Sequence, residues 1–135
     1  MTLRLPESMI DAIRRYGERA YPAECCGVIA GRAGSVKEAV RLFPMPNGRT
    51  DDPHRYLIGP EELRAVEREL LSTGWEILGY YHSHPDHRAE PSQFDTDHAW
   101  PWYSYVIVGV EAGRSSDLTS WTLDAERAIM PSESL

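Results

Sequence analysis

The run Trp75-Glu76-Ile77-Leu78-Gly79-Tyr80-Tyr81-His82-Ser83-His84-Pro85 leaves the chain few ways to fold. Its aromatic and aliphatic first half predicts a buried strand. Pro85 has no N–H to give a ladder, so the strand is expected to end there. Side chains at i and i+2 leave a strand on the same face, so His82 and His84 emerge side by side, about two rises of roughly 3.3 Å apart. Two imidazoles at that spacing bracket one metal at about 2.0–2.1 Å. A metal site at the end of a strand is expected.

Two histidines need a third ligand, and Asp86, His87, Glu90, Asp95, Asp97 and His98 all lie within reach of the loop that follows. Spacing alone does not choose among them. Pro91-Ser92 predicts a helix start, which puts Ser92 and Asp95 three apart on one face. Taken alone, that pair is a capping box, and a lone His-x-His is a surface pair. The two together are far less often accidental.

His82-x-His84, seven residues, then Ser92-x-x-Asp95 resembles the signature of the JAMM metallopeptidases, the catalytic branch of the MPN domain family. That signature includes a glutamate before an early apolar strand, and Glu24 in Tyr21-Pro22-Ala23-Glu24-Cys25-Cys26-Gly27-Val28-Ile29 stands at that place. The likeness extends to Leu3-x-Leu5-Pro6, Asn47, Tyr56-x-Ile58-x-Pro60-Glu61 and Tyr105-Val106-Ile107-Val108, which is nearly the whole chain. It implies an α/β fold: a mixed, mainly antiparallel sheet with packed helices, similar to the deaminase-like sandwich.

At 135 residues one domain is expected, spanning 1–135. A hydrophobic fraction of 41% supplies a core, and a net charge of −7 argues against nucleic acid, which demands a basic patch. The opening residues lack the apolar segment of a signal peptide, and no apolar run nears the membrane-spanning length of about 18 residues. Cys25 and Cys26 are neighbours and point to opposite faces of a strand, which excludes a disulfide framework or a CxxC zinc site. They read as reduced, buried thiols in a cytoplasmic protein.

Taken in order, residues 7–20 carry Met9, Ile10, Ile13, Tyr16 and Ala20 at helical spacing. A strand over Cys25–Ala30, a turn over Gly31–Ser35 and a strand from Val36 to Phe43 predict a hairpin. The stretch 44–53 is a loop rich in turn formers. Asn47 in it is a candidate site residue, and His54 is expected to face solvent. Tyr56-Leu57-Ile58 predicts a short strand, Gly59-Pro60-Glu61-Glu62 opens a helix that Gly74 ends, and the helix from Ser92 runs to about Trp100. Strands are expected over Tyr103–Val110 and Leu118–Leu123, with Trp100 and Trp102 as core or wall residues. Met130–Leu135 is expected to fray.

The resemblance implies a zinc peptidase with one ion per chain, held by His82, His84 and Asp95. Three protein ligands leave a position for water, as in catalytic rather than structural sites. Glu24 would act as general acid/base and Ser92 as oxyanion donor. The implied substrate is the glycine-ended tail of a ubiquitin-like or sulfur-carrier protein of the ThiS or MoaD type, extended by a peptide or isopeptide bond. Short connections around the metal strand favour a small carrier; homo-oligomerisation is left open. The alternative is a non-catalytic MPN scaffold, against which the intact residue set speaks. A zinc deaminase would need His-x-Glu and Pro-Cys-x-x-Cys, and the cysteine pair is absent.

Overall fold

A computed structural model describes residues 2–47 and 58–123. The chain runs β1 (Leu3–Arg4), α1 (Glu7–Ala20), β2 (Cys26–Ala33), β3 (Lys37–Met45), α2 (Pro60–Leu70), β4 (Glu76–Pro85), α3 (Gln93–His98), β5 (Ser104–Glu111) and β6 (Arg114–Trp121). The six strands form one sheet in the order β1-β3-β2-β4-β5-β6. The pairs β1/β3 and β4/β5 are parallel and the other three antiparallel. This is the mixed, mainly antiparallel sheet that the sequence predicts.

Strand alternation decides which helix covers which face. Ile29, Leu78, Tyr81, Val106 and Val108 point to one side, where Ile13 of α1 is wholly buried among them, flanked by Met9, Ile10 and Tyr16. Val28, Ala30 and Phe43 point to the other and meet Val66 and Leu70 of α2. Each such aliphatic side chain removed from water contributes about 1.5–3 kcal/mol. The outcome is a helix–sheet–helix sandwich with β4 inside the sheet. Glu7 in the first turn of α1 and Arg19 in its last match the helix dipole.

Several boundaries differ from expectation for local reasons. The β2/β3 hairpin extends to Ala33 and Lys37, so its turn is shorter than Gly31–Ser35. The strand expected at Leu118–Leu123 runs from Arg114 to Trp121 instead. Its partner β5 reverses through Ala112 and Gly113, both at positive φ (48° and 84°), as a tight two-residue hairpin turn requires. Gly74, at φ 77°, ends the turn after α2 as expected. Trp100 and Trp102 are not core residues, being 66% and 39% exposed. Nothing in a Trp-Pro-Trp sequence signals which side of a turn each indole takes; Trp100 does line a pocket beside α3. Of the Tyr56–Ile58 strand only Ile58 is described, and it lies outside any element. His54, most of the 44–53 loop and the tail from Met130 fall outside the described residues. Among those described, no helix is long and apolar enough to cross a membrane.

Candidate metal centre and active site

β4 carries His82 between two paired strands, opposite Cys26 of β2 and Ile107 of β5, and His84 opposite Gly109. His82 is 1% exposed and His84 7%. The third member comes from α3. Ser92 caps that helix: its Oγ accepts the Asp95 N–H at 3.0 Å, and Asp95 Oδ2 accepts the Ser92 N–H at 2.9 Å. The capping box expected from Ser92-x-x-Asp95 is therefore present, and it turns the carboxylate towards β4.

Three atoms converge. His82 Nε2 lies 3.1 Å from His84 Nε2 and 3.2 Å from Asp95 Oδ2, and His84 Nε2 lies 3.0 Å from the same oxygen. Among the described residues this is the group of three or more His, Cys, Asp or Glu side chains placed to hold a metal ion. The arrangement fits zinc on two counts. A tetrahedral ion with bonds of about 2.0–2.1 Å has ligand–ligand edges of roughly 3.3 Å, close to the three distances here. His84 Nδ1 lies 2.9 Å from the Arg88 carbonyl; a carbonyl only accepts, so Nδ1 carries the proton and Nε2 turns a lone pair to the cluster.

Electrostatics agree. Burial lowers the His82 pKa, although the Asp95 charge opposes it, so the ring stays neutral as a ligand must. Burial would raise the Asp95 carboxyl, but positive charge on His82, N–H donation from His82 and His84 and the Ser92 N–H hold it well below the usual carboxylate range. A metal cation would supply that positive charge with both rings neutral. Both groups are poised as electron-pair donors at neutral pH.

Glu24, the residue expected before the first apolar strand, is 5% exposed two positions ahead of β2. It lines a cleft of about 410 Å³ together with His84 and Ser92. The hydroxyl of Ser92 accepts from Asp95 through a lone pair, so its proton is available to a second partner in that cleft. Asn47 donates to the Glu24 carbonyl at 3.4 Å, which ties the head of the 44–53 loop to the site. A second, more apolar pocket of about 240 Å³ has Asp95 in its lining, together with Tyr80, Phe94, Trp100 and Tyr105. The three-residue cluster contributes His84 to the first and Asp95 to the second.

Of the other candidate ligands, His87 and Glu90 line the Glu24 cleft and stand outside the three-atom cluster. Asp86 accepts from the Ala112 N–H and the Tyr21 hydroxyl. Asp97 accepts from Gln93, and His98 folds back on the Phe94 carbonyl with its ring stacked on Phe94. Cys25 and Cys26 do face opposite ways: Cys25 packs on the α1 side, and the Cys26 thiol faces the Met45 and Pro46 carbonyls. Sequence reasoning missed the Arg88 carbonyl behind His84. A main-chain group carries no residue-type signal, so none was there to find.

Residues 6–124 match the family of prokaryotic homologues of the JAB domain. A desampylase of Haloferax volcanii is 32% identical, over 91% of this chain and 87% of that protein. A probable TtuB-protein conjugate cleaving protease of Thermus thermophilus is 34% identical, over 85% and 75%. A CysO-cysteine peptidase of Mycobacterium tuberculosis is 30% identical, over 85% and 78%. Among solved structures, a Desulfitobacterium hafniense protein superposes with a TM-score of 0.84 at 26% identity, over 98% of this chain and 90% of that one. A JAB1/MPN domain protein of Archaeoglobus fulgidus shares the fold, with a TM-score of 0.60 at 17% identity over 100% and 99%. The chain belongs to the family of prokaryotic JAB-domain homologues.

Proposed function

We propose that the chain is a zinc-dependent JAMM-type peptidase that releases a C-terminal extension from the glycine-ended tail of a ubiquitin-like or sulfur-carrier protein. The observation that carries this reading is the meeting of His82, His84 and Asp95 next to a cleft lined by Glu24 and Ser92. The names borne by the relatives, a desampylase, a conjugate-cleaving protease and a CysO-cysteine peptidase, point the same way.

His82, His84 and Asp95 would hold one zinc per chain. When bound, zinc supplies a Lewis acid for the scissile carbonyl and brings the pKa of a water towards 7. The rest falls to side chains. Glu24, buried at the cleft wall, takes the proton of the attacking water on its carboxylate and delivers it to the leaving nitrogen. Ser92 Oγ–H donates to the oxygen that becomes negative as the carbonyl carbon turns tetrahedral. The burial of His82 and His84 keeps bulk water from screening these charges. A glycine-ended tail brings no side chains past the cluster. Work in the cytoplasm fits the two free thiols, Cys25 and Cys26.

The test is single-turnover cleavage of a C-terminally extended glycine-tailed carrier, followed by mass spectrometry, with zinc measured on the same samples. Zinc-loaded wild type should cut after the last glycine. Glu24→Gln should keep its zinc and lose about a hundredfold or more in rate. Wild-type rates in that variant would remove Glu24 from the mechanism. A wild type that binds the tail without cutting it would make the chain a partner-binding module.

A further inference from the structure

Resting on this reading, the cleft around Glu24 carries one step more, towards what leaves. Glu24 returns a proton to the departing nitrogen, so the leaving group must lie on the Glu24 side of the metal cluster. That side is the 410 Å³ cleft, which also holds Arg88 and Glu90. The apolar pocket that Asp95 lines has no part of Glu24 in its lining and falls to the acyl side.

Arg88 is presented on a fixed frame. Its carbonyl accepts from His84 Nδ1 at 2.9 Å. The Asp86 N–H bonds Val110 at 2.6 Å, and the Ala112 N–H bonds Asp86 Oδ1 at 2.9 Å. Ala89, 3% exposed, gives its carbonyl to Thr119 Oγ1 at 2.5 Å. The loop also presses on β5, where a Cβ at Gly109 would meet the His87 carbonyl at 3.1 Å. From this anchored main chain the Arg88 side chain projects with 88% of its surface exposed, and its ion pair with Glu90 spans 4.0 Å. So open and long a pair is weakly held and readily exchanged for another carboxylate. Guanidinium geometry matches a carboxylate through two parallel hydrogen bonds.

We propose that Arg88 forms a subsite for a free α-carboxylate on the leaving group, so that the preferred substrate is a carrier whose last glycine is peptide-bonded to one terminal amino acid. In such a substrate the carboxylate is two bonds from the scissile nitrogen. In an isopeptide the leaving nitrogen ends a lysine stem, and no carboxylate stands near it. Hydrolysis breaks the C–N bond, gives the water oxygen to the glycine carbonyl carbon and a proton to nitrogen, and frees an α-amino acid.

The experiment compares two carriers that differ only at the end, Gly-Gly-Ala with a free carboxylate and the same tail as a C-terminal carboxamide. Wild type should prefer the acid by about tenfold or more in kcat/KM. Calorimetry with zinc-loaded Glu24→Gln should show the same preference in Kd. In Arg88→Ala the acid-to-amide ratio should fall to about one, and Arg88→Lys should keep part of it. The ratio compares two substrates on one sample, so a partly unfolded variant does not shift it. Equal rates on acid and amide in wild type would overturn the subsite and leave the peptidase reading standing. A preference that survives in Arg88→Ala would overturn it too. Cleavage of neither carrier would overturn the peptidase reading, and the subsite with it.

Discussion

Ser92 and Asp95 hold each other at both ends of a capping box, and the Asp95 oxygen that accepts the Ser92 N–H at 2.9 Å is the one lying 3.0 Å from His84 Nε2. Helix start and metal cluster thus share one atom. Loss of the cap therefore reaches the site.

Ser92→Ala deletes the Oγ that accepts from Asp95 and leaves the carboxylate in place. The lost cap should cost about 1 kcal/mol, a fall in Tm of roughly 3–6 °C. Turnover should fall by about a hundred- to a thousandfold, as for an oxyanion donor, with zinc retained. Melting and rate measured on one preparation separate the roles. A lowered Tm with normal turnover would leave Ser92 only its cap.

Metal content is the most direct check on the cluster. His82→Ala and Asp95→Ala each remove one of three converging atoms, and both should lose most of the single zinc. His87→Ala and His98→Ala should keep it, since His98 is folded onto the Phe94 carbonyl. Elemental analysis after gel filtration gives the answer. Full zinc in either of the first two variants would break the assignment.

Gly79 of β4 pairs with Ser104 of β5. A Cβ there would lie 1.9 Å from the Ser104 carbonyl oxygen, which is backbone and has nowhere to go. Gly79→Ala should destabilise the fold by about 3 kcal/mol or more. Gly34→Ala, whose Cβ would find its nearest neighbour at 3.8 Å, should stay within about 0.5 kcal/mol of wild type. Urea unfolding of the two variants side by side tests this, and equal midpoints would contradict it.

The two thiols should be inert. Burial pushes the Cys25 thiol up to about 11 and the Cys26 thiol up to about 12. A raised thiol pKa keeps the protonated form through neutrality, so at pH 8 the Cys25 thiolate is on the order of one in a thousand. A thiol-specific disulfide reagent at pH 8 should label neither in the folded protein and both in denaturant. Rapid labelling of the native chain would show that one thiol is open to solvent.

Patterns with a strict period were readable in the sequence. The residues of α1 announce themselves at helical spacing, and Glu7–Ala20 is the helix expected. The i, i+2 rule put His82 and His84 on one face of β4, where their rings lie 4.9 Å apart. The Ser-x-x-Asp spacing gave both a cap and the direction of a carboxylate. Contacts made by position rather than type were hidden. Lys37 is 1% exposed and reaches Ser104 Oγ at 2.8 Å across the sheet, a burial its charge argues against. The parallel pairing of the two-residue β1 with β3 carries no local signal. Nor does the choice of Asp95 over Asp86 or Asp97, which depends on how the loop after Pro85 folds back.

None of the six residues of α3 is fully buried, and the Asp95 side chain, 12% exposed, is turned to the cluster rather than into the core. The short helix is pinned by Ala89 before it and Ala99 after it, 3% and 2% exposed, while the sheet and the two longer helices form the core without it. The carboxylate of the proposed centre thus rides on a segment the frame does not need in order to stand. Substitutions on α3 can re-aim, retune or silence the carboxylate while the protein folds as before. Such a frame is well placed to outlast the proposed activity, keeping the cleft after the cutting is gone.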